Sequence, residues 1–324
     1  MLAYDAGMTR PPVVVLAGGV GAARFLRGLV QVVSPKEIVV ISNTADDMWW
    51  HGLYIAPDLD TVTYWLAGLA DVIRGWGIRG DTFTAQAALA ALSPASWFQL
   101  GDRDLATHVY RTGRLRAGAA LHLVTAEIAE RLGVRSRILP MTEQSVTTRL
   151  KTDMGDLHFQ EYFVREACRP AVREIYWTGM DEARPAPGVL EAISSARAVL
   201  IAPSNPSISI GPILRIPGIR ALLQEARERT VAVSPLVAGK AIKGPTVALM
   251  RAQGARPDAV GVAQLYRDLA GGFVLDRADQ SLEPEVAALG YRVASLPTML
   301  DDATDARAVA VAALNLVEQP VAAR

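Results

Sequence analysis

The sequence predicts an α/β fold with a doubly wound, mostly parallel sheet, and three observations lead to this fold class. An apolar run at Val13–Ala17 ends in the turn Gly18-Gly-Val-Gly21, and helical periodicity follows over Ala22–Val30. A second run, Glu37–Ser42, is rich in β-branched residues, so these segments form a βαβ unit. Alternation of strands and helices resumes at about Val189. Buried parallel strands of this kind build a Rossmann-like sheet.

The second half of the chain supplies the remaining elements of the sheet. Helices are predicted from about Val189 and from Arg220, and a closing helix over Asp302–Val317. Short apolar runs bounded by turn residues predict further strands. These strands are Ala198–Ala202, Thr230–Val233, Gly272–Asp276 and Tyr291–Ala294.

The middle of the chain interrupts this alternation. The segment from Leu59 to about Val134 is mostly helical by pattern, and Arg149–Asp153 with Leu157–Phe163 alternate as a β-hairpin does. We therefore predict a single Rossmann-like domain over residues 1–324, with an inserted helical and β-hairpin lobe at approximately 66–188.

Composition excludes several classes of partner. Of the 324 residues, 51% are hydrophobic and 20% charged, and the formal net charge is zero. We therefore expect no nucleic-acid and no membrane partner, and predict a small-molecule ligand. The single cysteine, Cys168, has no thiol partner for a disulfide or a zinc site. No uninterrupted apolar stretch is long enough for a membrane helix, and the N-terminus lacks a basic region before an apolar core, so the expected location is cytoplasmic.

The glycine turn after the first strand predicts a phosphate contact. Gly18, Gly19 and Gly21 allow backbone N–H groups to approach a phosphate at a helix N-terminus, where the helix dipole favours negative charge. Arg24 occupies the position where a dinucleotide fingerprint has its third glycine, and no Gly-Lys-Ser/Thr follows. A nicotinamide site and an ordinary P-loop are therefore disfavoured. A tight structural turn is the alternative interpretation.

Four aspartates lie close together after the second strand: Asp46, Asp47, Asp58 and Asp60. This is the edge at which open α/β sheets bind ligands. Because carboxylates there can hold a hard cation against a phosphate, the cluster predicts a metal site. Asp47 is the member that we expect to be structural.

An aromatic segment separates the two aspartate pairs. Trp49, Trp50 and Tyr54 lie within it, and a solvated loop rarely carries so much aromatic surface. Five of the six tryptophans fall between positions 49 and 97. The pattern predicts either a stacking pocket for a flat ligand or a small local core.

The segment Gly101-Asp-Arg-Asp-Leu-Ala-Thr-His108 places two acids, an arginine and a histidine at a predicted helix start. Asp102 or Asp104 can serve as a helix cap, or the group can form an ionic cluster that lines the site. His108 taken alone is expected to be a hydrogen-bonded structural histidine, since no zinc-binding spacing is present.

Two polar loops, at 202–212 and 234–245, follow later strands of the predicted sheet. Hydroxyl, amide and N–H groups suit nucleotide and phosphate ligands, and the lysines of the second loop suggest another anionic contact. Ordinary turn chemistry is the alternative for either loop. The candidate nucleotide- or phosphate-binding residues in these loops are Ser204, Asn205, Gly211, Ser234 and Lys240.

Taken together, these motifs resemble the 2-phospho-L-lactate transferase family of coenzyme F-420 biosynthesis, including its bacterial phosphoenolpyruvate transferase branch. The segments that carry the resemblance include Gly-Gly-Val-Gly-Ala-Ala-Arg, Asn-Thr-Ala-Asp-Asp, Pro-Asp-Leu-Asp-Thr, Leu-Gly-Asp-Arg-Asp-Leu-Ala-Thr-His and Ala-Pro-Ser-Asn-Pro-Ser-Ile-Ser-Ile-Gly-Pro, in order over about residues 13–245. The resemblance implies transfer of a phospholactyl or phosphoenolpyruvyl group from a guanosine diphosphate-linked donor. The acceptor would be the ribityl hydroxyl of 7,8-didemethyl-8-hydroxy-5-deazariboflavin, with release of GMP.

The resemblance also implies a cofactor, Mg²⁺, a homodimer and roles for particular residues. Asp46, Asp58 and Asp60 are the implied metal ligands, and Asp60 and Gln99 the implied acceptor contacts. Trp49, from the aromatic segment, is a further candidate for acceptor binding. Asp60 and Asp46 are the candidate catalytic residues, with Asp60 as a hypothetical general base for the ribityl hydroxyl. No motif distinguishes lactate, enolpyruvate or glycerate as the acid of the donor.

Two other functions fit part of the pattern. A nucleotide-sugar-binding metabolic regulator on the same fold shares the Gly-Gly-x-Gly start, but the Gly-Asp-Arg-Asp segment and the tryptophan-rich region argue against it. A nicotinamide oxidoreductase would use the same sheet, but the third fingerprint glycine is missing. The transferase is therefore the function that the sequence favours.

Overall fold

The computed structural model describes residues 10–93 and 96–318. Its strands are β1 Val13–Ala17, β2 Ile38–Ser42, β3 Met48–Trp50, β4 Leu53–Ile55, β5 Arg137–Pro140, β6 Thr147–Thr152, β7 Gly155–His158, β8 Val172–Thr178, β9 Ala198–Ile201, β10 Thr230–Val233, β11 Leu236–Val237, β12 Lys240–Ala241, β13 Gly272–Asp276 and β14 Arg292–Leu296. Its α-helices are α1 Gly19–Leu29, α2 Pro57–Leu66, α3 Thr84–Leu92, α4 Asp102–Arg116, α5 Leu121–Arg131, α6 Val189–Ser195, α7 Gly211–Arg215, α8 Ile219–Glu225, α9 Thr246–Ala252, α10 Ala259–Leu265, α11 Glu283–Ala288 and α12 Ala303–Glu318.

A seven-stranded sheet forms the centre of the described part of the chain, in the order β14-β13-β10-β9-β1-β2-β5. Every neighbouring pair in it is parallel. Strands β1, β2, β9, β10 and β13 are buried at every residue, which explains why they are continuous apolar runs. Alternate residues of β1 enter two separate apolar cores, so helices cover both faces. The predicted doubly wound, Rossmann-like α/β fold is confirmed.

The strand order reverses between β1 and β9. From β1 the chain builds outward through β2 and β5 on one side, and from β9 through β10, β13 and β14 on the other. The crevice beyond the carboxyl ends of such a pair is where open α/β sheets bind ligands. Here the turn after β1 meets the loop after β9, because the Gly18 N–H group donates to Ser204 Oγ at 3.3 Å.

Strand β5 was not predicted, although it belongs to the central sheet. It pairs with Val39–Ser42 of β2 at the sheet edge. Its Arg-Ile-Leu-Pro sequence holds only two central apolar residues, too few to establish a period. The segment 66–188 therefore contributes one strand to the central sheet, and the division into a domain and an inserted lobe stays a prediction.

The predicted helical segment 59–134 contains α2, α3, α4 and α5 in the described residues. Each of these helices has fifteen residues or fewer, and α4 continues through Gly113. Among the helices of the described residues, none combines the length and apolarity needed to cross a bilayer.

The predicted hairpin is present as β6 and β7, which pair antiparallel within a three-stranded sheet. Its second strand is shorter than predicted, because the chain turns after His158, whose N–H group donates to the Glu161 carboxylate at 2.9 Å. Strand β8, which was not predicted, pairs with β6 along Val172–Thr178.

Two helix glycines give a prediction about packing. A Cβ atom on Gly28 would lie 2.1 Å from the carbonyl carbon of Ala306, because α1 and α12 pack against each other there. We expect Gly28→Ala to lower the free energy of unfolding by about 1–3 kcal/mol, since backbone atoms must move. Gly113 lies in α4 with no heavy atom within 4 Å of its Cβ position, so Gly113→Ala should stabilise by about 0.5–1 kcal/mol. Urea unfolding measures the free energy of unfolding of both variants. An equal change in the two variants would contradict the close packing at Gly28.

Candidate active site

A cavity of about 800 Å³ opens beyond the carboxyl ends of β1 and β9. Its walls come from the turn after β1, the starts of α2 and α4, and the loops after β9 and β12. The location is the one expected for a ligand site at the strand-order reversal. The sequence-predicted residues that line it are Gly18, Gly19, Gly21, Asp46, Asp58, Asp60, Gln99, Ser204 and Asn205.

The glycine turn is required by close packing. A Cβ atom on Gly21 would lie 2.1 Å from the Pro203 carbonyl oxygen, and one on Gly18 would lie 2.6 Å from Ser209 Cβ. Gly19 adopts a φ of +70°, which side-chain-bearing residues rarely do. The turn directs the N-terminus of α1 towards the cavity, where the helix dipole favours an anion. The Gly19 N–H group already donates to the Asp58 carboxylate at 2.8 Å.

Ser204 and Asn205 hold the facing loop in place. Asn205 Oδ1 accepts the N–H groups of Ser207 and Ile208, at 2.9 Å and 3.3 Å. Its Nδ2 donates to the hydroxyl of Thr246 at 3.2 Å. The amide therefore joins two loops that line the cavity.

Asp58 and Asp46 form a carboxylate pair in the cavity wall. Asp58 Oδ2 accepts the amide of Asn43 at 2.9 Å, a partner that sequence reasoning missed although Asn43 directly follows β2. Asp46 is buried, and its Oδ1 lacks a hydrogen-bond partner among the described residues. Burial and then the charge of Asp58 raise the pKa of Asp46 well above its ordinary value. Burial likewise raises the pKa of Asp58 to about 6, against the hydrogen bonds from Asn43 and Gly19.

This carboxylate pair is chemically suited to a divalent cation. Among the described residues, no group of three or more His, Cys, Asp or Glu side chains is arranged to hold a metal ion. Magnesium, however, commonly binds one or two carboxylates and completes its shell with water and substrate phosphates. The unpartnered oxygen of Asp46 and the raised pKa values fit such a site. The metal-ligand assignment stays a prediction.

Asp60 forms a buried ion pair with Arg111 of α4. Arg111 Nη1 donates to Oδ2 at 3.0 Å, and Nη2 donates to Oδ1. Burial disfavours the charged guanidinium, but the charge and hydrogen bonds of Asp60 act together with the charges of Tyr64 and Asp47, and the pKa of Arg111 is raised. The bidentate pair fixes the orientation of the Asp60 carboxylate. Sequence reasoning missed Arg111, although it follows Asp104 and His108 at helical spacing.

A histidine connects Asp60 to a second carboxylate. His108 Nδ1 lies 3.6 Å from Asp60 Oδ2, and its Nε2 lies 3.3 Å from Asp104 Oδ1. The hydroxyl of Tyr64 donates to Asp104 at 2.6 Å. All four side chains line the cavity. Asp104 and His108 therefore belong to an ionic cluster, which is one of the two alternatives that the sequence left open.

Asp102 caps a helix, but not the one that it begins. Its carboxylate accepts the N–H groups of Thr84 and Ala85 at the start of α3, at 3.0 Å and 2.9 Å. The hydroxyl of Thr82 donates to it as well, and these hydrogen bonds lower the pKa of Asp102 to about 2. Asp102 thereby fixes the start of α4 to that of α3.

Five aromatic rings line another part of the cavity: Trp76, Trp97, Phe98, Phe159 and Phe163. The rings of Phe159 and Phe163 stack with centroids 5.5 Å apart. Trp97 and Phe98 lie edge to face with centroids 5.8 Å apart, and Gln99 follows them directly. This aromatic wall offers flat apolar surface beside polar groups.

Trp49 lies outside the cavity, contrary to its predicted place at the acceptor. Its side chain is 57% exposed and packs against Tyr54 and Arg116. Trp50 points the other way, because side chains alternate along β3, and its ring meets Trp97 with centroids 4.7 Å apart. The Tyr54 hydroxyl donates to Asp47 at 3.0 Å, so this segment forms a small local core behind the cavity.

Three further candidates also lie outside the cavity lining. A Cβ atom on Gly211 would lie 3.0 Å from the Pro206 carbonyl oxygen, so this glycine serves packing. Ser234 is buried, and its hydroxyl donates to the Leu236 carbonyl oxygen at 3.2 Å. Lys240 is exposed on β12, whereas Lys243 lines the cavity. Both lysines belong to the polar loop that the sequence singles out, and the one that follows β12 lines the cavity.

A second cavity, of about 890 Å³, lies at the amino ends of β13 and β14. Arg227 lines it, but its Nε and Nη2 atoms donate to the carbonyl oxygens of Arg267 and Gly290, both at 3.1 Å. Arg227 therefore stabilises the fold through backbone contacts. The glycine turn and the buried carboxylates line the other cavity, which is the candidate site.

The fold and the site define an α/β protein whose cavity joins a helix N-terminus to buried carboxylates and an aromatic wall. The family model of 2-phospho-L-lactate transferase CofD matches residues 13–317, and the chain belongs to this family of transferases. It is 42% identical over 313 residues to a phosphoenolpyruvate transferase of Streptomyces griseus, covering 95% of this chain and 98% of the relative.

A second relative and a solved structure extend the comparison. The chain is 38% identical over 287 residues to a 2-phospho-L-lactate transferase of Methanosarcina mazei, covering 89% of this chain and 94% of that protein. A crystal structure of a UPF0052 family protein from Bacillus halodurans superposes with a TM-score of 0.62 at 19% identity, covering 95% of this chain and 100% of the other. The structural likeness establishes the shared fold, and the predicted family is confirmed by the sequence matches.

Proposed function

We propose that the protein transfers a phospholactyl or phosphoenolpyruvyl group from a guanosine diphosphate-linked donor to the ribityl hydroxyl of 7,8-didemethyl-8-hydroxy-5-deazariboflavin, in coenzyme F-420 biosynthesis. The observation that carries the proposal is that one cavity joins the N-terminus of α1 and two carboxylates to a wall of five aromatic rings. The charged part suits a diphosphate, and the aromatic wall suits the flat deazaflavin ring. The two relatives are named for the two donor acids.

Asp46 and Asp58 would hold Mg²⁺ in this reaction. Bound there, the ion would neutralise charge on the diphosphate of the donor. Burial and mutual repulsion make the carboxylate pair unfavourable without a cation, which supports the assignment. Asp60 is a weaker candidate ligand, because both of its oxygens already accept hydrogen bonds from Arg111.

Asp60 would instead face the acceptor. Arg111 uses one lone pair on each Asp60 oxygen and leaves others free to accept the ribityl hydroxyl. In the transfer the hydroxyl oxygen would bond to phosphorus, the bond to the GMP oxygen would break, and the hydroxyl proton would pass to Asp60. Gln99 lies beside the aromatic wall, where its amide can orient the acceptor.

The product formed in vitro tests this proposal. Each synthetic guanosine diphosphate-linked donor is incubated with the protein, Mg²⁺ and the deazaflavin alcohol. Mass spectrometry then measures the masses of the products. The expected product is the acceptor plus one phosphoacyl group, with an equal amount of GMP. If UDP-N-acetylglucosamine alone stabilises the protein in a thermal-shift assay and no product forms, the protein is a regulator instead. The homodimer and the cytoplasmic location also stay predictions.

The raised pKa of Asp58 predicts how stability depends on pH. The unfolded carboxyl ionises near pH 4, but the folded one near 6, so the folded state binds more protons between these values. Stability of the metal-free protein should therefore fall as pH rises through this window, more steeply than in Asp58→Asn. Mg²⁺ with GDP should raise the melting temperature more at about pH 7.5 than at about pH 5, since protons compete with the metal. Equal shifts at both pH values would contradict the metal assignment.

A further inference from the structure

Two cationic side chains also line the cavity. Arg24 lies on α1, one helical turn after Val20 of the glycine turn, and Lys243 lies in the loop after β12. Among the ion pairs of residues 10–93 and 96–318, neither cation pairs with an aspartate of the carboxylate pair or with Asp60. Arg24 and Lys243 therefore form a positive pole that neither the carboxylate pair nor Asp60 neutralises, although Asp301, which also lines the cavity, pairs with Arg24.

Lys243 is held over the glycine turn without an acidic partner. Its ammonium donates to the Arg74 carbonyl oxygen at 2.7 Å. A Cβ atom on Gly75 would lie 3.2 Å from Lys243 Nζ and 2.9 Å from Val20 Cγ1, which places the ammonium beside the turn. Burial and then the charge of Arg24 lower the pKa of Lys243. An ammonium next to a second cation is stabilised by a bound anion.

Arg24 retains capacity for a ligand. Its Nη1 pairs with Asp301 at 3.3 Å, and the Asp301 side chain is 67% exposed. Ion pairs with so exposed a partner contribute little and exchange readily. The guanidinium carries five N–H donors, so most of them are available for a planar oxyanion.

We propose that Arg24 and Lys243 form the subsite that binds the carboxylate of the donor's acid. This inference rests on the proposed function. The donor would carry two phosphates and one carboxylate, and the phosphates have a place at the N-terminus of α1 and the carboxylate pair. The third anion requires a counter-charge of its own, which the positive pole supplies. No sequence motif identifies the acid of the donor. Arg24 and Lys243, which come from two distant segments, would form the site that binds the carboxylate of this acid.

Binding measurements with three guanine ligands test the assignment. The ligands are GDP, a guanosine diphosphate ester of a 2-hydroxy acid, and the matching ester whose alcohol lacks the carboxylate, each titrated with Mg²⁺ by calorimetry. Lys243→Met should weaken the acid-bearing ester by about 10- to 100-fold, the loss of a charge-assisted hydrogen bond, and change the other two ligands by less than about threefold. Arg24→Met should act in the same direction. In turnover, KM for the acid-bearing donor should rise more than kcat falls.

Two controls separate this inference from structural damage. Lys243→Arg should restore affinity for the acid-bearing ester, and Lys36→Met, an exposed lysine outside the cavity, should leave all three affinities unchanged. Equal weakening of all three ligands in Lys243→Met would assign the cations to the phosphates and overturn the proposal, as would an unchanged affinity for the acid-bearing ester. If the wild-type protein binds none of the three, the proposed function fails first and the subsite with it.

Discussion

Replacing Asp46 by asparagine is expected to reduce turnover by about 100- to 1000-fold while leaving the metal-free protein at least as stable as the wild type. The loss of turnover follows from removing one charge that would hold Mg²⁺ against the diphosphate. The retained stability follows from burial and the Asp58 charge, which raise the pKa of Asp46 and make its ionised form unfavourable near neutral pH. Steady-state kinetics and metal-free thermal unfolding measure the two effects.

Asp47→Asn is the matched control for this variant. Asp47 is adjacent and buried, and burial also raises its pKa, but its carboxylate accepts the Tyr54 hydroxyl in the local core behind the cavity. Asparagine can still accept that hydrogen bond, so near-normal turnover is expected. An active Asp46→Asn enzyme, or equal losses in the two variants, would remove Asp46 from the metal site.

Replacing Arg111 by methionine is expected to destabilise the fold by about 3–5 kcal/mol, because it leaves the Asp60 carboxylate buried without its partner. Both Nη atoms of Arg111 bond to that carboxylate, and the arginine side chain is only 2% exposed. Urea unfolding measures the loss. Turnover should fall as well, since the Asp60 carboxylate would lose the partner that orients it.

The same helix provides a control for this second variant. Arg114 lies one turn further along α4, where it pairs with Glu127 at 2.8 Å on the surface. Arg114→Met should therefore change stability little. Adding Asp60→Asn to Arg111→Met should recover part of the lost stability, because the uncompensated charge is gone, but should not recover turnover. A double variant no more stable than Arg111→Met would show that the arginine acts through packing alone.

Much of the site could be predicted because its parts are local in sequence. Strand β1, the glycine turn and the start of α1 are continuous in sequence. Asp46 lies in the loop after β2, and Asp58 lies in the first turn of α2. In a parallel sheet the carboxyl ends of neighbouring strands meet at one edge, so these parts meet as well. The sequence could not predict whether each aspartate caps a helix or joins the ionic cluster. Asp102 and Asp104 are two residues apart, yet Asp102 caps α3 and Asp104 contacts His108.

The sequence by itself determined the fold class, the glycine turn and the aspartates that line the cavity, since strand burial and turn geometry depend on neighbouring residues. Only the tertiary structure decided which partner each side chain has. Asp60 pairs with Arg111, which is 51 positions away, and Lys243 reaches the turn before α1 from the loop after β12. Trp49 lies outside the cavity while Trp97 lines it, because strand alternation and long-range packing set which face each ring occupies. Electrostatic and packing contacts between distant segments carry no local signal, and they assign the chemistry of this site.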